Sequence, residues 1–539
     1  MKGDLKRWGR LALAGAMCCA PCHWAQAALT DNLGVSVVAM SMGNAVTADP
    51  PGLDSIHFNP AGLARIEANT RADAFFGASI RPYATFTQPA GFDIGGWTSD
   101  PIAGMSTSPV KQTLYIPTIG PLHARLPAAV GAGLGFALHA PNSKWTFATA
   151  SYVPQAVGID RSKNPNDPAN YDGSTVVIQR LVYLSPSAAY KYSDTLSLGV
   201  AVPIAYQAFS LQTNMRMPNE LLGIIGKLQQ GWCGPNGGDN PVDEFGFGLC
   251  GGGKQGMLNP FNKVGAMQFN LTAPADPTVN LGVLWEPKDW FAAGAVYQFG
   301  SQTTLTGSFQ FDAEPMLQQF VYGMWHSLQG PILASTFGMP TNIPSVQAGN
   351  ATLTLPFPEH IQGGIKIKPF RDLQINIDAN WTNWSRWNKL IFNFDQNVNL
   401  LEMARIFGVA NPAQLVIPRG YTSPVHFGYG VDYTPGYGVH LRLGYEPRKS
   451  SVPRSSMDLI SPLPDMNVKS IGLGYLSESG TRLDLTASFA HGSFNLPANT
   501  SCNLNCNNFF NVIYNPYAGL DVNGGIYVRY FGAAISRPF

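Results

Sequence analysis

Charged residues are scarce in this 539-residue chain: Asp, Glu, Lys and Arg make up 12%, about half the ~25% of a typical soluble protein. No Lys/Arg cluster stands out beyond the N-terminus and the net charge is +1, so we expect no nucleic-acid partner. After residue 28 the chain has no apolar run of the ~18 residues that a transmembrane helix needs. An aromatic fraction of 11% with 57 Gly and 42 Pro argues against disorder and favours β structure with many turns.

The motifs of common catalytic sites are also missing. No Gly-x-Ser-x-Gly elbow, His-Glu-x-x-His helix or phosphate-cradling loop is present. Gly251-Gly252-Gly253-Lys254 lacks the spacing of a nucleotide-binding loop, and the nine histidines are scattered. We therefore expect no enzyme activity, no metal site and no cofactor.

Residues 1–27 have the pattern of a secretory signal peptide. Four basic residues precede the uncharged apolar run Leu11–Ala20, and Ala25-Gln26-Ala27 supplies the small residues of a cleavage site. A buried N-terminal helix and a lipoprotein signal at Cys18 fit less well. The sequence therefore predicts export.

Export determines how the cysteines are interpreted. Three of the seven leave with the signal peptide, and the four that remain form two close pairs, Cys233/Cys250 and Cys502/Cys506. An even number in an oxidising compartment indicates two local disulfides. Zinc is the alternative, but no His lies near either pair.

Strand-like segments with one apolar and one polar or small face recur along the mature chain. Val439, Leu441 and Leu443, for example, alternate with His440 and Arg442, which is the period of two of a strand. The sequence predicts fourteen such strands, near 71–86, 113–124, 130–140, 175–192, 195–213, 265–286, 290–311, 352–369, 372–395, 423–434, 437–447, 467–477, 481–494 and 524–539.

Loop lengths distinguish a membrane barrel from a soluble sandwich, because both show the same alternation. Short turns such as Ser193-Asp194 and Pro435-Gly436 alternate with long connections such as 214–264 and 312–351. Short turns at one rim and long loops at the other, with an even number of strands, are typical of an outer-membrane barrel. The predicted fold class is therefore all-β: a transmembrane antiparallel β-barrel of about fourteen strands.

The stretch between the signal and the first strand carries a family resemblance. It contains Met42-Gly43-Asn44-Ala45, then Ser55, then Phe58-Asn59-Pro60-Ala61-Gly62. Placed behind a signal peptide and ahead of a long β chain, these residues resemble the FadL family of outer-membrane channels for long-chain fatty acids and other hydrophobic compounds. The rest of the resemblance is architectural and covers the whole mature chain.

This resemblance implies an N-terminal hatch at 28–66 inside a barrel at 67–539. The hatch residues are expected to be Gly43, Asn44, Ser55, Phe58, Asn59, Pro60, Ala61 and Gly62. The resemblance also implies capture of substrate at the cell surface, passage to an internal apolar pocket, and sideways exit through a gap in the wall made by a kinked early strand. Leu126-Pro127 and the glycines after it are compatible with such a kink.

Two long loops carry apolar clusters that an exposed loop would not need. We expect them to form a hydrophobic surface groove between loop helices, which in the family is the capture site; the alternative is that the helices simply pack together and cap the barrel. The groove residues would be Leu221, Leu222, Ile225, Leu228, Leu317, Phe320, Val321, Trp325, Leu328 and Phe337.

A fatty carboxylate would need a cation inside the barrel. The period of two directs Arg442, His440, Arg482 and Lys366 inwards. Each of these candidates has an alternative role as an ion-pair partner of carboxylates such as Asp378, Glu446 and Asp484.

The function predicted from the sequence is passive, selective uptake of long-chain fatty acids or similar lipophiles. The chain would act as a monomer among the lipids of the outer membrane of a Gram-negative bacterium. Two alternatives from the same family are import of aromatic hydrocarbons and export of lipid products. A plugged adhesin or structural barrel is the alternative from another class.

Overall fold

The computed structural model describes residues 32, 34–117, 119–126, 128–234, 237, 240–460, 462–507 and 514–539. The predicted signal peptide at 1–27 and the first residues of the predicted hatch, 28–31, lie outside the described residues. The side chains of 122–126 are likewise not described.

Antiparallel strands make up about half of the described chain. Their bounds are β1 Thr70–Thr87, β2 Lys111–Ile116, β3 Gly120–Leu126, β4 Ala129–His139, β5 Trp145–Asp160, β6 Thr175–Leu184, β7 Ser187–Lys191, β8 Leu196–Ala201, β9 Ile204–Arg216, β10 Lys263–Pro277, β11 Asn280–Lys288, β12 Phe291–Gln298, β13 Ser301–Ala313, β14 Val346–Phe357, β15 His360–Phe370, β16 Leu373–Thr382, β17 Lys389–Phe394, β18 Gln414–Pro418, β19 Val425–Gly436, β20 Val439–Arg448, β21 Met466–Leu476, β22 Arg482–Leu496 and β23 Asp521–Pro538.

Fourteen of these segments form a closed ring through antiparallel pairing. The order around the ring is β1, β4, β5, β7, β8, β11, β12, β15, β16, β19, β20, β21, β22 and β23, and β23 pairs with β1. Six strands of the wall continue beyond a short interruption, as β6/β7, β8/β9, β10/β11, β12/β13, β14/β15 and β16/β17. The predicted fourteen-stranded barrel is therefore confirmed.

One strand of the wall was assigned wrongly from the sequence. The segment predicted at 113–124 is not part of the ring but forms the hairpin of β2 and β3. The fourteenth strand is β5, which lies within 141–174, a stretch predicted as a long loop. Its Ser151–Pro154 and Val157-Gly158 interrupt a clean alternation, and the polar stretch after Asp160 made the whole segment resemble a loop.

Short turns lie at one rim and long loops at the other, as predicted. The turns 140–144, 192–195, 289–290, 371–372, 437–438 and 477–481 define the short-turn rim. The connections 88–128, 161–174, 217–262, 314–345, 395–424, 449–465 and 497–520 define the long-loop rim. By the rule for outer-membrane barrels, the first rim faces the periplasm and the second the outside of the cell.

The wall presents an apolar face to the lipid. Leu441 and Leu443 are 46% and 59% exposed, whereas Arg442 between them is 2% exposed. Aromatic side chains such as Trp145, Trp290 and Tyr437 are exposed near the short-turn rim, where an aromatic girdle is expected.

The helices belong to the interior segment and to the long loops. They are α1 Val37–Ser41, α2 Ser55–Phe58, α3 Glu220–Trp232, α4 Pro241–Phe245, α5 Pro315–Trp325, α6 Gly330–Thr336 and α7 Asn399–Met403. In the described part of the chain, no helix combines the length and the apolar run required to cross a bilayer.

Residues 34–66, called the hatch below, fill the lumen nearest the short-turn rim, and wall glycines make this fit possible. A Cβ at Gly430 would lie 2.6 Å from the Met42 carbonyl oxygen, closer than packed atoms approach. Comparable contacts with hatch atoms within 3.0 Å would arise at Gly199, Gly282, Gly294, Gly428, Gly444 and Gly472. The hatch backbone therefore lies directly against the wall backbone.

Polar side chains of the wall hold the hatch by its main chain. Gln362 donates to the Asn44 carbonyl at 2.9 Å, and Asn376 donates to the Ala45 carbonyl at 2.8 Å. The Thr47 amide donates to Asp378 at 2.8 Å. These bonds give buried backbone groups of the irregular hatch partners on the wall.

The residues of the Phe58–Gly62 stretch are buried in this interface. Asn59 donates through Nδ2 to the carbonyls of Thr47 (2.8 Å) and Val283 (3.0 Å), so it links the hatch to itself and to β11. Phe58 and Ser55 are buried, and Pro60 and Ala61 pack against Gly199 of β8. Both Asn44 and Gly43 adopt positive φ, which produces the tight turn after α1.

Replacing Gly430 with Ala should loosen the hatch, because the added Cβ overlaps the Met42 carbonyl. Such overpacking costs about 1–3 kcal/mol. The expected result is more frequent ion-conducting openings of the purified barrel in a planar bilayer. Gly77→Ala on β1 is the control, since nothing lies within 4 Å of its added Cβ. Equal conductance of the two variants would contradict this description of the hatch seat.

Candidate functional site

Helices of the long loops surround an apolar cavity at the long-loop rim. α3 begins after Asn219, whose side chain accepts a hydrogen bond from the Leu221 amide at 2.9 Å, an effective N-cap. α5 and α6 each carry Pro in their first turn, where the missing N–H is not needed. Apolar side chains of these helices and of α7 enclose a cavity of about 350 Å³.

Apolar residues from four separate loop segments line this cavity, called the outer cavity below. Asn259 is the one polar residue among the described lining residues. The lining consists of Met217, Leu221, Leu222, Ile225, Phe247, Leu249, Leu258, Asn259, Pro260, Val264, Met316, Leu317, Phe320, Met324, Leu333, Phe337, Met339, Leu400, Met403, Ala404, Ile406 and Phe407.

The structure separates the predicted groove residues into three groups. Those that line the outer cavity are Leu221, Leu222, Ile225, Leu317, Phe320 and Phe337. Val321 and Trp325 lie in the adjoining apolar core. Leu228 and Leu328 are 57% and 63% exposed and do not line the cavity.

The part of the lining that comes from the loop at 395–424 was not predicted from the sequence. Leu400 and Met403 lie on α7, which has only five residues, too few to show a helical period. Phe407 follows in a short 3-10 turn. A run of apolar residues in this loop was the available signal, but it does not reveal that three loops converge.

Hydrogen bonds and a disulfide fix the wall formed by α3. Gln229 donates to the carbonyls of Leu249 (2.8 Å) and Gly256 (3.0 Å), and it accepts from the Leu258 amide at 2.6 Å. The Cys233–Cys250 disulfide joins the end of α3 to the same segment. The outer cavity is therefore preformed on this side.

Both predicted disulfides are present. Besides Cys233–Cys250, Cys502 is bonded to Cys506 in the last long loop. Within the described residues no group of three His, Cys, Asp or Glu side chains is arranged to bind a metal ion.

A second, smaller pocket continues the outer cavity towards the barrel. It has a volume of about 90 Å³ and shares Met217, Leu400, Ala404 and Phe407 with the outer cavity. Its inner end is polar, with Asn219, Arg216, Tyr514 and Asn515. This inner pocket is therefore apolar at its mouth and rich in hydrogen-bonding groups at its end.

Arg216 at that end is held in a buried ion pair. Its Nη1 and Nη2 donate to the two carboxylate oxygens of Asp100 at 2.8 and 2.9 Å, and its Nε donates to the Pro516 carbonyl at 2.6 Å. Such bidentate pairing fixes the guanidinium plane.

The predicted lumen cations lie far from the outer cavity, near the short-turn rim, and are paired with carboxylates. Arg442 donates to Asp432 at 3.1 Å and to Asp484 at 2.8 Å. Arg482 donates to the same Asp484 at 2.8 Å. His440 Nδ1 lies 3.1 Å from Asp432.

The fourth predicted cation, Lys366, contacts the hatch. Its Nζ lies 3.2 Å from Asp49, and Arg65 lies 2.8 Å from the same carboxylate. Arg65 also pairs with Glu286 of β11 at 2.6 Å. These two cations hold the pKa of Asp49 well below its ordinary value despite burial, which raises it. The pairs thus fasten the hatch to the wall electrostatically.

An apolar recess of about 270 Å³ interrupts the wall between β1, β4 and β5. On the lipid side it is bordered by Val130, which is 43% exposed. Its back is formed by Gly34 of the hatch and by Leu114 and Tyr115 of β2. We call it the wall recess. It joins the outer face of the barrel to the neighbourhood of the hatch.

One acid of the hatch has an unusual protonation equilibrium. Burial and the neighbouring Asp484 carboxylate raise the pKa of Asp54 to about 7. The docked hatch therefore holds a proton on Asp54 more tightly than a solvated hatch would.

The family profile for outer membrane transport proteins, described as "Outer membrane protein transport protein (OMPP1/FadL/TodX)", matches residues 16–505 of this chain. No curated protein sequence matches the chain.

Solved structures of low sequence identity share the fold. The chain is similar to a FadL homologue of Pseudomonas aeruginosa, with 17% identity, TM-score 0.64, and 96% of this chain and 100% of that chain covered. It is also similar to the toluene transporter TbuX of Ralstonia pickettii (16% identity, TM-score 0.54, 94% and 99% covered). The toluene transporter TodX of P. putida shares 14% identity at a TM-score of 0.57, with 94% and 99% covered.

Raising the pH should weaken docking of the hatch through Asp54. Because the pKa is raised in the docked state, the stabilisation is fully present only below the ordinary carboxyl pKa of about 4, falls as the pH rises from there to about 7, and is constant above that. Hydrogen exchange of residues 49–62, corrected for intrinsic rates, should therefore increase from pH 5 to 8. Asp54→Asn should remove this pH dependence of exchange. An equal increase in exchange in wild type and variant would contradict the role of Asp54.

Proposed function

Since the chain belongs to the OMPP1/FadL/TodX family of outer membrane transport proteins, we propose that it imports long-chain fatty acids or similar hydrophobic molecules by passive diffusion. The transported molecule would be captured from outside the cell in the outer cavity, pass inwards along apolar surface, and leave sideways into the membrane. The observation that supports this most directly is the outer cavity, an apolar space of about 350 Å³ at the long-loop rim.

The cavity lining is suited to an alkyl chain or a ring. Moving apolar surface from water into such a lining is favourable by about 0.8 kcal/mol per CH₂. Methionines such as Met217, Met316, Met324, Met339 and Met403 form much of the wall, and their flexible thioether side chains adapt to ligands of different shapes. Capture would thus depend on apolar burial more than on precise hydrogen bonds.

The inner pocket suggests where a carboxylate head group would go. A fatty acid whose chain occupies the outer cavity could direct its head towards Asn219, Asn515 and the Tyr514 hydroxyl in the inner pocket. Arg216 lies beside them, although its guanidinium is already paired with Asp100. The head group would therefore compete with hydrogen bonds that these neutral groups already make, such as the one that the Tyr514 hydroxyl donates to the Asn214 carbonyl at 3.0 Å.

Aromatic hydrocarbons are the second candidate class. Among the described residues lining the outer cavity none is charged, so a neutral molecule would lose no interaction there. Two of the structurally similar proteins are toluene transporters, so a monoaromatic hydrocarbon should be tested as a substrate beside a fatty acid.

The wall recess supports sideways exit. The hatch fills the lumen near the short-turn rim through close contacts and ion pairs, whereas the recess opens towards the lipid between β1, β4 and β5. A hydrophobic molecule that leaves by this recess would stay in contact with apolar surface and avoid the periplasmic water.

Charge placed in the outer cavity should abolish capture. The double variant Leu222→Asp/Phe320→Asp puts two carboxylates among apolar side chains, where an unpaired charge costs several kcal/mol. Uptake by cells of whichever compound the wild type transports, labelled oleate or labelled toluene, should fall at least tenfold from the wild-type level, measured per inserted barrel.

The matched control is Leu228→Asp/Tyr322→Asp, which makes the same change on exposed faces of the same two helices. It should leave uptake unchanged. Wild-type chains that raise uptake of neither compound over cells without the chain would refute the transport proposal. Uptake of one compound alone would identify the substrate class.

A further inference from the structure

The hydrogen-bonded ladder of the barrel is incomplete on one edge of β1. On its other edge β1 pairs with β23 over its full length, from Thr70 to Thr87. Towards β4 it pairs only from Thr70 to Ala78, because β4 starts at Ala129, the partner of Ala78. Nine residues of β1 thus extend past the end of their neighbour, although unpaired backbone groups are costly next to lipid.

The far end of this edge is covered by a loop segment. The Ala84 carbonyl accepts from the Thr107 amide at 2.9 Å, and the Phe86 carbonyl accepts from the Gly104 amide at 2.8 Å. Between the end of β4 and this segment lie Ile80 and Pro82, and Pro82 has no N–H to satisfy. Ile80 is therefore the residue of this stretch whose N–H and C=O both need a substitute partner.

A side-chain amide supplies that partner. Gln112 of β2 is 2% exposed. Its Oε1 accepts from the Ile80 amide at 3.2 Å, and its Nε2 donates to the Ile80 carbonyl at 2.6 Å. One glutamine side chain thus makes both hydrogen bonds that a neighbouring strand would make to one residue.

The same arrangement occurs a second time, on the other side of β2. Gln179 of β6 accepts from the Tyr115 amide at 3.2 Å and donates to the Tyr115 carbonyl at 3.2 Å. By contrast, β2 pairs with β5 through only two residues, Lys111 with Asp160 and Gln112 with Ile159. Two side-chain amides therefore add to the attachment of β2 to the wall.

β2 forms the back of the wall recess. Leu114, Tyr115 and Ile116 line it, as do Ile80 and Gln179. Thr113 of β2 also lies directly against Gly158 of β5, where a Cβ would overlap its carbonyl. The segment held by the two glutamines thus forms the back of the recess together with Gly34 of the hatch.

We propose that Gln112 and Gln179 are positioning residues that clasp β2 across the sideways passage, and that release of these clasps widens the wall recess for a departing hydrophobic molecule. This inference rests on the proposed function. A strand ladder opens only when many bonds break together, whereas a side-chain clasp opens by rotation of one glutamine. The wall can therefore yield at this position while its closed ring near the short-turn rim remains intact.

The clasps are tested by hydrogen exchange on the detergent-solubilised wild type, Gln112→Leu and Gln179→Leu. Leucine keeps the approximate size of glutamine and removes both hydrogen bonds. Exchange should rise on the order of tenfold in peptides containing Ile80 for Gln112→Leu, and in peptides containing Tyr115 for Gln179→Leu. Gln310→Leu on β13, where the amide donates to the exposed Asp312, should change neither. Unchanged exchange at Ile80 and Tyr115 would overturn the proposal.

Transport distinguishes clasps from general support of the fold. The initial rate of uptake per inserted barrel should increase in Gln112→Leu/Gln179→Leu, because release is the proposed effect. A merely structural role would lower it. A rate equal to or below that of wild type or of Gln310→Leu, in barrels that still resist SDS unfolding, overturns the proposal. Absence of uptake by wild type would instead refute the proposed function, while the exchange result would still decide on the clasps.

Discussion

Every backbone N–H and C=O that faces lipid must be paired within the protein, and the rest of this structure depends on how that requirement is met. Near the short-turn rim it is met by a ring of fourteen strands that closes between β23 and β1. Towards the long-loop rim the ladder between β1 and β4 ends at Ala78. There a loop segment pairs with Ala84 and Phe86, and a glutamine side chain pairs with Ile80, so the edge is covered by different means from those of the ring.

The same requirement shapes the interior. The hatch has little regular structure, and several of its carbonyls and amides are satisfied by side chains that project from the wall, among them Gln362, Asn376 and Asp378. Glycines in the wall let the two backbones approach closely enough for these short side chains to reach. The ion pairs of Asp49 with Arg65 and Lys366 add attraction at the hatch end. The lumen can therefore be polar and still tightly filled.

The sequence was most informative where one physical rule acts locally. Alternation of apolar and polar residues predicted the wall faces, and turn lengths predicted the two rims. The failure at β5 arose because Gly158, which accommodates the close approach of β2, and its neighbours obscure the alternation. The register predicted that Arg442, His440 and Arg482 point inside. It did not predict their height in the barrel or the carboxylates beside them, since both depend on pairing between distant strands. For the same reason the contributions of Leu400 and Met403 to the outer cavity were not foreseeable.

The bonds that seat the hatch join residues far apart along the chain. The Thr47 amide and Asp378 are separated by 331 residues, and Asn44 and its partner Glu446 by 402. Closing such long loops is entropically expensive and slow. The hatch therefore cannot dock before strands near the other end of the chain have formed. We expect its docking to be among the last steps of folding, after β20 and the strands that follow it have entered the barrel.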